Sequence, residues 1–121
     1  MLNNSNTQTI TVTENQTAQH VGSGGLPVFA TPSLIALMES TAMNMLTELP
    51  EGKTSVGTEI SIKHLKASAV GAKVHCTASI IGIEGRKYSF EVKAFDDNGF
   101  VLGEGTHERF VVDIEKFMGK L

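Results

Sequence analysis

Tryptophan is absent from this 121-residue chain, cysteine and tyrosine occur once each, and proline three times. The lone Cys76 excludes an intramolecular disulfide framework and a cysteine-rich zinc site, and it fits a reducing compartment. Long apolar runs are also missing. The longest clear one, Leu34 to Met38, spans five residues, too short for a membrane helix. The first 20 residues are rich in Asn, Thr and Gln and have neither the basic start nor the apolar centre of a signal peptide. Positive charge is not in excess: 10 Lys and Arg stand against 13 Asp and Glu, a net charge of −3, which argues against a nucleic-acid partner. No P-loop, dinucleotide fingerprint, nucleophile elbow or metal-ligand spacing is found, so no cofactor or metal is expected. The expectation is a soluble cytoplasmic protein with a single domain over 1–121, of which 1–7 are flexible.

What is present reads as one helix among strands. Residues 8–13 alternate threonine with Ile10 and Val12 and predict a first short strand. A glycine-rich loop, Val21 to Pro27, follows. Thr31-Pro32 is a helix start, with Thr31 as N-cap and Pro32 at the first helical position. Apolar residues from Leu34 to Leu49 then continue over four turns until Pro50-Glu51-Gly52, on a helix buried on most sides. Beyond it, strands are predicted over about 55–66, 73–80, 87–94 and 100–112, with turns at Glu84-Gly85 and Asp96-Asp97-Asn98-Gly99. In the first of these, Val56, Thr58, Ile60, Ile62 and His64 are read as one face. One early strand, a buried helix and an antiparallel meander make an α+β fold with the helix covering one sheet face.

Several residues carry candidate chemistry, each beside a plainer role. Glu39 has Ile35, Ala36, Ala42 and Met43 at its helical i±3 and i±4 positions, so its carboxylate has no ion-pair partner on its own helix. It is either a functional carboxylate or the one solvated edge of the helix. Thr31 lies eight residues earlier, roughly 12 Å along the axis; it caps the helix, or it sets a hydroxyl beside free N–H groups that suit an oxyanion. His64 ends an apolar strand face, as a satisfied core histidine or as an imidazole meeting the helix. His107 sits in the polar tract Gly105-Thr106-His107-Glu108-Arg109 and reads as exposed. Gly82, Gly103 and Gly105 within strands mark bulges or close approach.

Taken together, Val28-Phe29-Ala30-Thr31-Pro32-Ser33-Leu34-Ile35-Ala36-Leu37-Met38-Glu39, Ser55-Val56-Gly57-Thr58, His64 and Gly105-Thr106-His107-Glu108-Arg109-Phe110 resemble the hot-dog thioesterases, most closely the fluoroacetyl-CoA thioesterase-like family, over about 20–118. The resemblance implies a long central helix wrapped by a curved antiparallel sheet, in a homodimer, with tetramers known among relatives. It also implies hydrolysis of an acyl-CoA thioester, with Thr31, Glu39 and His64 as the catalytic set and Gly57 and Arg109 binding the acyl group. Where the fluoroacetyl specialist has aromatic lid residues, this chain has Gly22-Ser23-Gly24-Gly25, so the expected substrate is another short- or medium-chain acyl-CoA. Under this reading Glu39 is a nucleophile or a general base, and His64 orients it or water and returns the proton to the thiolate. Two rivals share the fold: a non-catalytic acyl-CoA-binding domain and an enoyl-thioester hydratase or dehydratase. The second lacks its His-Phe-Pro-Gly segment here.

Overall fold

The computed structural model describes residues 4–121. Five strands, β1 (Ser5–Thr11), β2 (Lys53–His64), β3 (Lys73–Glu84), β4 (Lys87–Phe95) and β5 (Val101–Asp113), form one sheet in the order β1-β3-β4-β5-β2. Every neighbouring pair is antiparallel. A short 3-10 turn (Glu14–Gln16) and the one-turn helix α1 (Ala18–Val21) lead into α2 (Thr31–Met43), which packs on one face of the sheet; α3 (Ile114–Gly119) follows β5.

The core forms where the apolar stripe of α2 meets the inward side of the strands. Leu34, Leu37, Met38 and Ala42 pack against Val74, Cys76 and Ala78 of β3 and Phe90, Val92 and Ala94 of β4, all buried. The alternation predicted for these two strands therefore holds, and Cys76 is a core residue. Gly105 shows why β5 can run so close to β2. A methyl group there would collide with the Ser61 carbonyl and the Ile62 backbone, which cannot move aside as a side chain can.

Several boundaries differ from expectation, and three of them have a clear cause. β1 begins at Ser5, within the stretch expected to be flexible, because Asn6 and Gln8 turn toward the end of α2: Asn6 Nδ2 donates to the Thr41 carbonyl and Gln8 Nε2 to Ser40 Oγ. Residues 1–3 of that stretch lie outside the described residues. α2 ends at Met43 rather than near Leu49, in tight turns where Met45 and Leu46 N–H groups bond to Ala42 and Met43 carbonyls. The helix also begins differently. The Ala30 carbonyl accepts the first helical bond, from Leu34, so Ala30 is the N-cap and the Thr31 hydroxyl does no capping.

The most consequential difference lies in β2. Gly57 pairs with Arg109, but Glu59 pairs with Glu108, leaving Thr58 as an extra residue in a β-bulge. Ser55 and Gly57 therefore face α2 together with Ile60, Ile62 and His64, and the single even-numbered face predicted for this strand does not exist.

Gly105→Ala is expected to destabilise the protein by about 3 kcal/mol. Gly25→Ala, with open space around it, is expected to change stability by less than about 0.5 kcal/mol. Chemical denaturation of both variants checks the contrast.

Candidate active site

Two side-chain clusters sit on the helix-facing side of β2 and β5. The first gathers around Gly57. A methyl group at this position would lie 3.1 Å from Glu39 Oε2, 3.1 Å from His107 Cε1 and 3.3 Å from Arg109 Nη1, so three functional groups converge on a space that only glycine leaves open. Arg109 is 6% exposed, and its guanidinium is held on three sides: Nε donates to Ser55 Oγ at 2.9 Å, Nη2 to the Ser55 carbonyl at 3.0 Å, and Nη1 to His107 Nε2 at 3.2 Å. Burial lowers the guanidinium pKa and the nearby Glu39 carboxylate opposes the shift.

His107 is 1% exposed, contrary to the surface position expected for it. Its Nδ1 lies 2.7 Å from the Glu59 carbonyl and its ring stacks near Phe90, with centroids 6.0 Å apart. Burial is the main cause of its lowered pKa, with the Glu59 carbonyl raising it, Arg109 lowering it and Glu39 raising it. The signal for this was present in the sequence. Glu104, Thr106 and Glu108 claim one face of β5 for solvent, which leaves Gly103, Gly105, His107 and Arg109 for the other.

The second cluster is at the opposite end of β2. Thr31 Oγ1 and His64 Nδ1 are 2.8 Å apart, joining the first turn of α2 to the last residue of the strand. The hydroxyl freed from capping is thus committed to the imidazole. Burial lowers the His64 pKa against an opposing contact with the Lys66 backbone. That contact falls short of hydrogen-bond geometry, and Nε2 is buried without a partner. A cavity of about 300 Å³ opens beside the pair, lined by Ala18, Ser23, Val28, Thr31, His64 and Lys66 among others.

The five residues singled out from the sequence therefore fall into two groups: Glu39 with Gly57 and Arg109, and Thr31 with His64. Within one chain the groups stay apart. Glu39 is eight residues along α2 from Thr31, roughly 12 Å. Gly57 is seven residues along β2 from His64, about 20 Å.

Sequence and structure comparisons identify the family and the fold. The fluoroacetyl-CoA-specific thioesterase family matches residues 12–115. The chain belongs to that family. A relative within it, the fluoroacetyl-CoA thioesterase of Streptantibioticus cattleyicolor, is 40% identical over 95 residues, which is 78% of this chain and 68% of the relative. A solved variant of the fluoroacetyl-CoA-specific thioesterase FlK in complex with fluoroacetate and CoA superposes with a TM-score of 0.89 at 33% identity, covering 97% of this chain and 98% of that one. A hot-dog-like protein from Thermanaerovibrio acidaminovorans gives a TM-score of 0.87 at 25% identity, over 96% and 86% of the two chains. The expected α+β hot-dog fold is the fold observed, and the protein is a thioesterase of this family. Among the described residues no helix is long and apolar enough to cross a membrane.

His64 and His107 both have pKa values below the ordinary 6.5, desolvation being the main cause in each. The unfolded chain then binds protons more readily than the native one, so their contribution to stability is complete above about pH 6.5 and falls as pH drops below it. Melting temperature is expected to be flat from pH 8 to 7 and to decline from 6.5 to 5.5, with a shallower decline in His107→Gln. Thermal melts across that range check this.

Proposed function

We propose that the protein hydrolyses the thioester of a short- or medium-chain acyl-CoA, releasing the acid and CoA. The observation that carries the reading is the Glu39 carboxylate held against the open space at Gly57, beside a buried, fully positioned arginine. Arg109 and Gly57 hold the acyl group near the carboxylate. Glu39 then adds to the thioester carbonyl carbon directly or activates the water that does; both routes require the ionised form. The C–S bond breaks, water supplies the oxygen of the new acid, and one proton of that water passes by way of His64 to the departing thiolate. Thr31 fixes the His64 ring through Nδ1 in the wall of the adjoining cavity, beside the reacting groups. The cavity next to this pair receives the thioester, and the first turn of α2 in its wall directs N–H groups toward a developing oxyanion.

The two clusters act together only if a second copy supplies one of them, and the whole chain is the unit that pairs. A homodimer in which β2 meets its own copy provides this. The outer edge of β2 bonds to no strand among the described residues, and an open edge of that length invites pairing. A two-fold axis through the strand makes the contact antiparallel, so the Gly57 end of one copy approaches the His64 end of the other. The exposed Ile114, Phe117 and Met118 of α3 extend the contact, since α3 is tied to the start of β2 by the Ile114 N–H to Gly52 carbonyl bond. The Gly22-Ser23-Gly24-Gly25 loop, with Ser23 in the cavity wall, brings no aromatic ring to the site, which supports an acyl group other than fluoroacetyl. A cytoplasmic setting suits the free, buried Cys76.

Thiol release from an acyl-CoA panel running from acetyl to long-chain and phenylacetyl tests the proposal. Glu39→Gln is expected to lower kcat by about 10²- to 10⁴-fold while the protein still binds acyl-CoA. Binding without thiol release by the wild type on any member would leave a carrier in place of an enzyme, and absorbance loss with crotonyl-CoA without thiol release would indicate a hydratase.

A further inference from the structure

His107 is spent neither on the proposed reaction nor on the surface, yet it is among the most buried polar residues of the protein. Its neighbours dictate its chemical form. A carbonyl oxygen can only accept, so Nδ1, 2.7 Å from the Glu59 carbonyl, must carry a hydrogen. A guanidinium can only donate, so Nε2, 3.2 Å from Arg109 Nη1, must present its lone pair. The ring is thereby fixed as the neutral Nδ1–H tautomer, by a strand carbonyl on one side and a cation on the other.

We propose that His107 is a positioning residue for the reaction: as a neutral acceptor it holds the Arg109 guanidinium in the plane that faces the Gly57 space, and a proton on its Nε2 releases that hold. The inference rests on the hydrolase reading for its catalytic meaning and on hydrogen-bond geometry for its structural one. Ser55 takes Nε and Nη2 and fixes one edge of the guanidinium; His107 takes one hydrogen of Nη1 and leaves the other toward Gly57 and Glu39. Without that acceptor Nη1 has no hydrogen-bond partner among the described residues and the fork can tilt about the Ser55 edge. The charged groups facing the ring are Arg109 of its own strand and Glu39 of α2; β2 contributes the Glu59 carbonyl and β4 the Phe90 ring. Protonation would set an N–H against a guanidinium N–H, so the hold is lost on acidification.

Two substitutions separate position from bulk. In His107→Asn the side-chain amide can still donate to the Glu59 carbonyl but cannot reach Arg109. In His107→Gln the longer amide can place its oxygen near the Nε2 position. His107→Asn is expected to lower kcat about 30-fold with KM within about 3-fold, and His107→Gln to restore most of the loss. Because the residue acts through Arg109, the Asn substitution in an Arg109→Lys background should cost less than about 3-fold. Equal losses in both backgrounds, or full activity in His107→Asn, would overturn the proposal. If His107→Asn does not fold, the same comparison is made with His107→Gln, whose activity within a few-fold of wild type is the expected result and whose 30-fold loss contradicts it. Nitrogen-15 spectra of the histidine rings read the lock without turnover. A neutral Nδ1–H signal for His107 persisting from pH 7.5 to 6 is expected, and the other tautomer or a half-protonated ring at pH 6.5 contradicts it. A wild type that releases no thiol yet shows this signal fails the hydrolase reading alone.

Discussion

One extra residue in β2 decides which side chains of this fold can meet. Strand side chains alternate between faces, so Gly57 and His64, an odd number apart, would ordinarily face opposite sides of the sheet. The bulge at Thr58 absorbs one residue and turns both toward α2. Everything polar on the inner face follows from this: Ser55 reaches Arg109, Gly57 opens the space beside Glu39, and His64 reaches Thr31. The bulge costs local ladder bonding and allows a strand that is apolar in its middle to hold a polar cluster at each end.

The Gly57 cluster places a buried cation beside a carboxylate without contact pairing between them. A guanidinium taken from water must have its N–H groups matched, and three of them are, by Ser55 twice and His107 once. Closing a direct Glu39–Arg109 pair would leave both groups spent on each other. Holding Arg109 with neutral partners leaves its charge and the Glu39 carboxylate facing the same space at Gly57 without a contact pair.

Much of this was legible in the sequence, and the failures are specific. The cores of β3 and β4 followed from clean alternation, and β5 from the turn at Asp96–Gly99 that precedes it. Gly103 and Gly105 marked close approach, as the α2 and β2 contacts show. The order of Thr31, Glu39, Gly57, His64 and Arg109 pointed to the family. Other features depended on partners far away in the chain. The early start of β1 goes with the bonds of Asn6 and Gln8 to the last turn of α2, more than thirty residues later, a contact no local pattern carries. Thr31 had every mark of an N-cap and is displaced from it by one residue, its hydroxyl bonded instead to His64. Gly57 immediately precedes the bulge at Thr58, but it was weighed as a binding residue and not as a break in the alternation, so the faces of β2 were misassigned. His107 was misread because its polar neighbours were weighed by proximity, whereas strand parity sets it apart from Glu104, Thr106 and Glu108.

The central claim is that Thr31 and His64 of one copy work with Glu39 and Arg109 of another. Co-expressing His64→Ala and Glu39→Gln chains with different affinity tags, and purifying the mixed dimers, tests it most directly. Each mixed dimer then holds one site with both substitutions and one with neither, so about half of the wild-type activity per dimer is expected from two parents that are each inactive. Mixed dimers as inactive as their parents would contradict the account and return all of the chemistry to a single chain.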